Sequence, residues 1–148
     1  MSKRKNNTLR EGLEAFYENY QESLNHLDKG LPKEVRDFFR SHDVAHVIFG
    51  CDISLFGEGT VKLWTVFGTT LGFWKHLSEY RKANAFELSK KFSPTVAIRD
   101  FFKLFIMIPS LILRAKRMHR PWPWKDFEEY LDLPITEIRE EFNIKVLK

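Results

Sequence analysis

The sequence HDVAH, at residues 42–46, is followed after eleven intervening residues by Glu58. If this stretch is helical and runs to about Phe49, His42 and His46 lie one turn apart on the same face of the helix. Two imidazoles at that separation can bind one divalent cation. The intervening residues include two glycines, so the chain can turn back and bring the Glu58 carboxylate to the same ion.

Asp43 follows His42 directly and lies about a third of a turn away from the histidine face. We expect it either to bind the metal at the edge of the site or to accept a hydrogen bond that fixes a histidine tautomer. The predicted metal site is therefore His42, Asp43, His46 and Glu58, and the same four residues are the catalytic candidates. Two neutral imidazoles with carboxylates suit zinc, and iron and manganese are the alternatives. On residue types alone, two core histidines that bind no metal fit the pattern equally well.

The pattern H-D-x-x-H, eleven residues, E resembles the signature of the coenzyme Q (ubiquinone) biosynthesis protein four family, with the same spacing. A second similarity lies in WKDFE at residues 124–128 and LPITEIREEFNI at residues 133–144. In this region the family has a tryptophan, acidic residues and an arginine, followed by a short ending similar to Leu-Gly-Ile. In this chain Phe142 and Asn143 stand in place of the leucine and the glycine. The two blocks bracket roughly residues 35–144.

The resemblance implies a bacterial stand-alone homologue that acts on a benzoquinone precursor carrying a polyprenyl tail. Members of that family are implicated in removing the ring carboxyl group and oxidising that carbon, and they are peripheral membrane partners of other quinone-biosynthesis proteins. By resemblance, then, the chain is a metal-dependent decarboxylase or hydroxylase of a prenylated aromatic ring. Its expected location is the cytoplasmic face of the bacterial inner membrane.

Other functions stay open beside this one. The chain can instead be a non-catalytic lipid-binding scaffold of a quinone-synthesis complex, with a structural metal. A zinc protease would need glutamate where Asp43 stands, and a His-Asp phosphohydrolase usually needs a further upstream histidine, where only the unremarkable His26 lies. We expect no nucleic-acid partner, because no recognition motif accompanies the basic residues.

Composition and charge are consistent with one helical domain over residues 1–148, long enough for a real core. The pI is about 9.2 and the net charge is +4. Basic residues open the chain, where residues 1–7 are expected to be flexible, and a second basic cluster is expected to face anionic head groups unless it is simply a solvated surface. This second cluster consists of Arg114, Lys116, Arg117 and Arg120.

The single cysteine, Cys51, excludes an internal disulfide and fits a reducing compartment. We interpret it as a small hydrophobic residue of the motif loop rather than a nucleophile. The first thirty residues are polar and include early glutamates, so neither a secretory signal nor a mitochondrial presequence is predicted. The longest apolar run, 101–113, is interrupted and too short to span a membrane.

Helical periodicity predominates, and no stretch alternates with the period of a strand bounded by hairpin turns, so we predict an all-α bundle of six or seven helices. The first predicted helix follows a Thr8–Glu11 capping box and runs from Leu9 to just before Gly30. The next two run from Pro32 to a break near Ser41 and from there to Phe49, and a fourth covers 61–77. The last three run from Pro94 to Met118 with a kink at Pro109, from Lys125 to Leu131 and from Pro134 to Phe142. Residues 81–91 are predicted to be a connection with some helix in it.

Two further expectations concern surfaces. Gly68 and Gly72 are four residues apart, so on one helix they would allow another helix to approach closely, and a homodimer is expected. The apolar faces of 61–77 and 95–113 are expected to enclose an isoprenoid tail, although such stripes also occur in ordinary cores.

Overall fold

The computed structural model describes residues 7–24, 32–72, 75, 78 and 94–147 of the chain. Within these residues there are five α-helices and one short 3-10 helix. They are α1 (Leu9–Leu24), α2 (Lys33–Phe49), α3 (Leu55–Gly68), α4 (Pro94–Lys116), the 3-10 helix (Glu128–Tyr130) and α5 (Ile135–Phe142). The described part contains two isolated bridges and no strand, so the predicted all-α class is confirmed. The total of six or seven helices stays a prediction.

The first helix begins at the predicted capping box. The Thr8 hydroxyl accepts from the Glu11 amide at 3.2 Å, and the Glu11 carboxylate accepts from the Thr8 amide at 3.0 Å. Both otherwise unpaired amides are therefore satisfied, which fixes the start of α1. The predicted end of this helix near Gly30 lies outside the described residues, as do the basic residues 1–6 and the connection over 81–91.

The second helix is longer than predicted, because it runs through Ser41 without a break. The Ser41 hydroxyl donates to the Asp37 carbonyl at 3.0 Å, one turn earlier in the same helix. The side chain is satisfied without interrupting the helix, so the predicted break is wrong. The predicted end at Phe49 is confirmed: Gly50 follows with φ of 67°, in the left-handed conformation that commonly ends a helix.

The third helix begins and ends earlier than the predicted span 61–77. Its start is capped by Ser54, whose hydroxyl accepts from the Gly57 amide at 3.0 Å. It ends at Gly68 because the chain there pairs with Trp122: the Trp122 amide donates to the Gly68 carbonyl at 2.8 Å. Gly72 lies beyond the helix with φ of 71°, so the predicted helix face shared by Gly68 and Gly72 is wrong.

The last two α-helices form close to their predicted spans, whereas the helix predicted between them does not. The helix α4 contains Pro109 and ends within two residues of its predicted end; the kink at Pro109 stays a prediction. The helix predicted from Lys125 to Leu131 is wrong, because only the three-residue 3-10 helix forms there. The predicted helix ending at Phe142 is confirmed.

None of the described helices has the length and hydropathy needed to cross a bilayer.

Aromatic side chains build the core around which these helices pack. Trp64 of α3 stacks on Phe49 of α2, with ring centroids 4.6 Å apart and planes 6° apart. Trp122, Tyr130 and Phe142 form a second group with centroid distances of 5.2 to 5.5 Å. The C-terminal region thus packs on the same core that holds α2 and α3 in place.

Candidate metal centre

Three side chains from two helices meet at the centre of the fold. Helix α2 carries His42 and His46 one turn apart, and the first turn of α3 carries Glu58. The His46 Nε2 lies 3.2 Å from one carboxylate oxygen of Glu58, and the His42 Nε2 lies 3.4 Å from the other. The two Nε2 atoms are 3.2 Å apart. One donor atom from each residue lies within 4.8 Å of the others, so this group can hold a metal ion.

The return of the chain to α2 depends on a close contact at Gly57. A Cβ atom added to Gly57 would lie 2.1 Å from both the carbonyl oxygen and the carboxylate Oδ1 of Asp52. The same Oδ1 accepts from the amide and the hydroxyl of Ser54, at 3.0 and 2.5 Å. Because only a hydrogen fits at residue 57, glycine is required for the loop to fold tightly and present Glu58 to the histidines.

His46 is oriented by the backbone of the same loop. Its Nδ1 donates to the Cys51 carbonyl at 3.1 Å, and the Cys51 amide in turn donates to the His46 carbonyl at 2.9 Å. In the tautomer that carries its proton on Nδ1, the lone pair of Nε2 faces the centre of the site. This arrangement is the one that histidine adopts when Nε2 binds a metal.

The centre has more lone pairs than protons. Burial lowers the pKa of His42 against the opposing influence of Glu58, which favours the neutral imidazole. Burial alone would raise the pKa of Glu58, but the hydrogen bonds and positive charge that the two imidazoles supply when protonated outweigh it and lower that pKa, so the carboxylate is ionised. One proton on His42 Nε2 cannot satisfy His46 Nε2 and two carboxylate oxygens at once. A divalent cation among these atoms would resolve the imbalance.

Aromatic rings shield the imidazoles from water. Phe16 stacks on His46 at 5.3 Å between centroids, and Phe38 lies nearly parallel to His42 at 6.5 Å. His46 is 1% exposed and His42 is 7% exposed, whereas the Glu58 side chain is 26% exposed. The site is therefore closed around the histidines and open beside Glu58. Three protein ligands with one accessible side are typical of catalytic metal sites, since structural zinc sites usually have four protein ligands.

Asp43 is not part of the group of converging donor atoms within the described residues. It is half-buried. His42 Nδ1, the atom at which a neighbouring acceptor would fix the tautomer, is buried without a hydrogen-bond partner in the described part of the chain. The predicted roles of Asp43 stay predictions, and the Cys51 carbonyl is the acceptor that fixes the tautomer of His46. No side-chain signal marks a backbone carbonyl, so the sequence could not reveal it.

Cys51 contributes its backbone rather than its thiol. Burial raises the pKa of the Cys51 thiol to about 12, and the negative charges of Asp52 and Glu58 act in the same direction. The thiol is therefore protonated at neutral pH and is a poor nucleophile. It also lies outside the group of converging donors, in agreement with its interpretation as a small hydrophobic residue of the loop.

Two cationic side chains near the site were given no role at the metal centre from the sequence. Arg139 of α5 donates to the carbonyls of Val47 and Ile48 at 3.0 and 2.9 Å, so it holds the C-terminal end of α2 just after His46. Lys62 lies one turn after Glu58 on α3 and is half-buried, and burial lowers its pKa while Glu58 acts to raise it. The i, i+4 spacing of Glu58 and Lys62 was the available signal for the lysine.

Comparison of the chain with family models, curated proteins and solved structures gives no match.

Replacing Gly57 by alanine should destabilise the fold and disrupt the site. The added methyl group overlaps a backbone oxygen that cannot move without unfolding the loop, so we expect a loss at or above the upper end of about 1–3 kcal/mol. Gly59→Ala is the matched control, because its methyl group meets the movable side chain of Leu104, with an expected loss of about 1 kcal/mol or less. Urea unfolding measures both, and a Gly57→Ala protein as stable as the wild type would contradict the account.

The stability of the metal-free protein should fall with acidification. The pKa of His42 is lower in the folded protein than its ordinary value of 6.5, so the unfolded chain takes up the proton first and stability is lost as pH falls below that value. Glu58, whose folded pKa is also lowered, adds a further loss below its ordinary value of 4.5. Urea unfolding in the presence of a chelator should show this slope near neutral pH, and His42→Gln should lack it. A slope that persists in His42→Gln would assign it to other groups.

Proposed function

We propose that this chain belongs to the coenzyme Q biosynthesis protein four type and acts on a polyprenylated benzoquinone precursor. The reaction proposed is loss of the ring carboxyl group as carbon dioxide and a two-electron oxidation of that carbon, in which an external oxidant such as dioxygen accepts the electrons. The observation that supports it is the convergence of the His42 and His46 imidazoles with the Glu58 carboxylate, from positions whose spacing is that of the family's signature. Zinc suits two imidazoles and a carboxylate, and iron and manganese accept the same donors.

The residues of the chain contribute in separate ways. A divalent ion, when bound, would supply Lewis-acid stabilisation of the negative charge that develops as the carboxyl group leaves. The Cys51 carbonyl keeps the His46 lone pair directed at the centre, and Phe16 and Phe38 exclude water from the imidazoles. The substrate approaches on the exposed side of Glu58. Lys62 lies one turn after Glu58 on α3, and when protonated it favours an acidic ring substituent.

A cavity of about 460 Å³ lies beside the site. Phe38 separates it from His42, since its ring lines the cavity and also lies parallel to the imidazole. Volumes of this order accommodate small organic ligands, and the aromatic side chains of Phe38, Trp124 and Phe127 offer contact surface to the first isoprene units of the tail. The wall combines apolar rings with a charged rim and consists of Lys33, Glu34, Asp37, Phe38, Arg40, Ser41, Leu71, Trp124, Lys125, Phe127 and Glu128.

The predicted tail-binding space enclosed by the apolar faces of 61–77 and 95–113 stays a prediction, and of these two segments Leu71 contributes to the lining of this cavity. The expected partners are carried forward with it: an isoprenoid lipid, other quinone-biosynthesis proteins and the cytoplasmic face of the bacterial inner membrane. A homodimer also stays a prediction, but its basis in Gly68 and Gly72 is lost because the two glycines do not share a helix.

A non-catalytic lipid-binding scaffold is the second candidate. The large apolar side chains exposed on α4 favour contact with lipid whether or not the chain is an enzyme. The open side of the site at Glu58 favours the enzyme, because a metal that is only structural is usually enclosed by four protein ligands.

Carboxyl-labelled prenylated hydroxybenzoate separates the two candidates. Metal-loaded protein should release labelled carbon dioxide, and Glu58→Gln should lower the rate about a hundredfold or more, because it removes the ligand charge while preserving the shape of the side chain. Asp43→Asn is the matched control and should keep most of the activity, since Asp43 is outside the donor group. Lipid binding with no label released by zinc-, iron- or manganese-loaded protein would favour the scaffold. Equal loss in both variants would contradict the assignment of roles.

A further inference from the structure

Helix α4 carries an unusual concentration of exposed apolar side chains. Six large apolar residues of this helix are between 55% and 77% exposed: Ile98, Phe101, Phe102, Phe105, Ile106 and Leu113. We call this set the α4 outer face. Elsewhere in the described residues, large exposed apolar side chains occur singly and reach at most 46%. A contiguous apolar surface on this scale normally marks a binding surface.

The α4 outer face is one side of a helix whose other side is already packed. Its residues recur at intervals of three, four and seven to eight, so they cover an arc of about 140° on the helix. Leu111 and Ala115 on the opposite side are buried, and Leu104 lies against Gly59 of α3. Helix α4 thus meets the protein with one apolar side and presents a second apolar side to the surroundings.

The charge on α4 is one-sided. The only acidic residue of the helix is Asp100, which is 4% exposed and contacts the Arg99 guanidinium at 3.0 Å. The basic side chains of Lys103 and Lys116 are exposed. The accessible surface of α4 is therefore apolar with a positive border, which is the composition of helices that lie in the interface of an anionic membrane.

The basic cluster predicted from the sequence contributes only in part to this border. Arg114 donates to the carbonyls of Lys145 and Val146 at 2.9 and 2.7 Å, and Arg120 pairs with Glu141. These two side chains therefore hold the C-terminal segment. Lys116 and Arg117 are exposed, and they continue the positive border beyond the end of the apolar face.

We propose that the α4 outer face docks on an anionic lipid bilayer, with α4 lying along the membrane surface. The apolar side chains enter the boundary between head groups and acyl chains, and Lys103 and Lys116 meet the lipid phosphates. A second copy of the chain fits less well. A symmetric dimer through this face would bring the same lysines together, and α4 has no exposed acid to pair with them.

The α4 outer face lies close to the helix that carries Glu58 of the metal centre. Leu104, on the inner side of α4, packs on Gly59, the residue next to Glu58. Only the thickness of one helix, about 10 Å, then separates the bilayer surface from the helix that carries Glu58. The inference deepens the proposed function and rests on it for the lipid-borne substrate, whereas the docking surface itself follows from exposure and charge.

Vesicle binding by the full chain tests the proposal. Wild-type protein should co-sediment with vesicles of phosphatidylcholine mixed with phosphatidylglycerol, and more weakly with phosphatidylcholine alone. The double variant Phe102→Ser, Phe105→Ser should bind at least about tenfold more weakly. Leu133→Ser, at an exposed apolar residue outside α4, is the matched control and should bind as the wild type does. Lys103→Gln and Lys116→Gln should each weaken binding to the anionic vesicles about fivefold.

A fluorescent label reports on the face directly. Ile106→Cys can be labelled selectively, because the native thiol of Cys51 is largely buried and its pKa is raised to about 12. Emission should shift to the blue when anionic vesicles are added. The His46→Ala variant should bind vesicles normally, so a failure of the metal-site proposal would leave this result intact.

Three outcomes would overturn the proposal. Wild-type protein that does not bind either kind of vesicle would exclude membrane docking. A label already in an apolar environment, and unresponsive to vesicles, would show that another part of the chain covers the face. A dimer that the serine substitutions convert to monomer, in a protein that does not bind vesicles, would assign the face to self-association.

Discussion

The close contact between Gly57 and Asp52 is the constraint on which the site depends. Helix α2 ends at Phe49 and α3 begins at Leu55, so only a few residues reverse the chain. The reversal is tight enough that residue 57 cannot carry a Cβ atom. Its result is that the next residue, Glu58, reaches two imidazoles that α2 has already aligned. The eleven residues between His46 and Glu58 therefore comprise the end of α2, this loop and the start of the first turn of α3.

The electrostatics of the site follow from its burial. The Glu58 carboxylate lies against two buried imidazoles, and a charge that is partly withdrawn from water is costly unless it is paired. A divalent cation held by His42, His46 and Glu58 would supply two positive charges and accept the lone pairs that face the centre. The backbone also contributes, since the Cys51 carbonyl sets the tautomer of His46 and Arg139 secures the helix end beside it. These contacts make the donor set rigid before any ion arrives.

The sequence predicted the parts of this structure that depend on local spacing. The i, i+4 histidines, the glycine that ends α2, the capping box before α1 and the last helix all follow from the regular geometry of a helix. Asp43 lies about 100° from the histidine face and outside the converging donor atoms of the described residues, so its role at the site stays a prediction.

The remaining errors depend on contacts between distant residues. The apolar run 61–77 has helical periodicity throughout, yet its helix ends at Gly68 because the Trp122 backbone pairs with it. Residues 125–131 form only a 3-10 helix, where Phe127 and Tyr130 pack into the core. The roles of the Cys51 carbonyl and of Arg139 were the hardest to predict from the sequence. In both contacts the acceptor is a backbone carbonyl oxygen, and every residue type has one.

Binding of one divalent metal ion by His42, His46 and Glu58 is tested most directly by elemental analysis of the purified chain. The account predicts close to one equivalent of a divalent metal in the wild type and in Asp43→Asn, and loss of that metal in folded His46→Ala and Glu58→Gln. Circular dichroism establishes that the variants remain helical. Wild-type protein that binds no zinc, iron or manganese after reconstitution, or variants that retain a full equivalent, would contradict the claim.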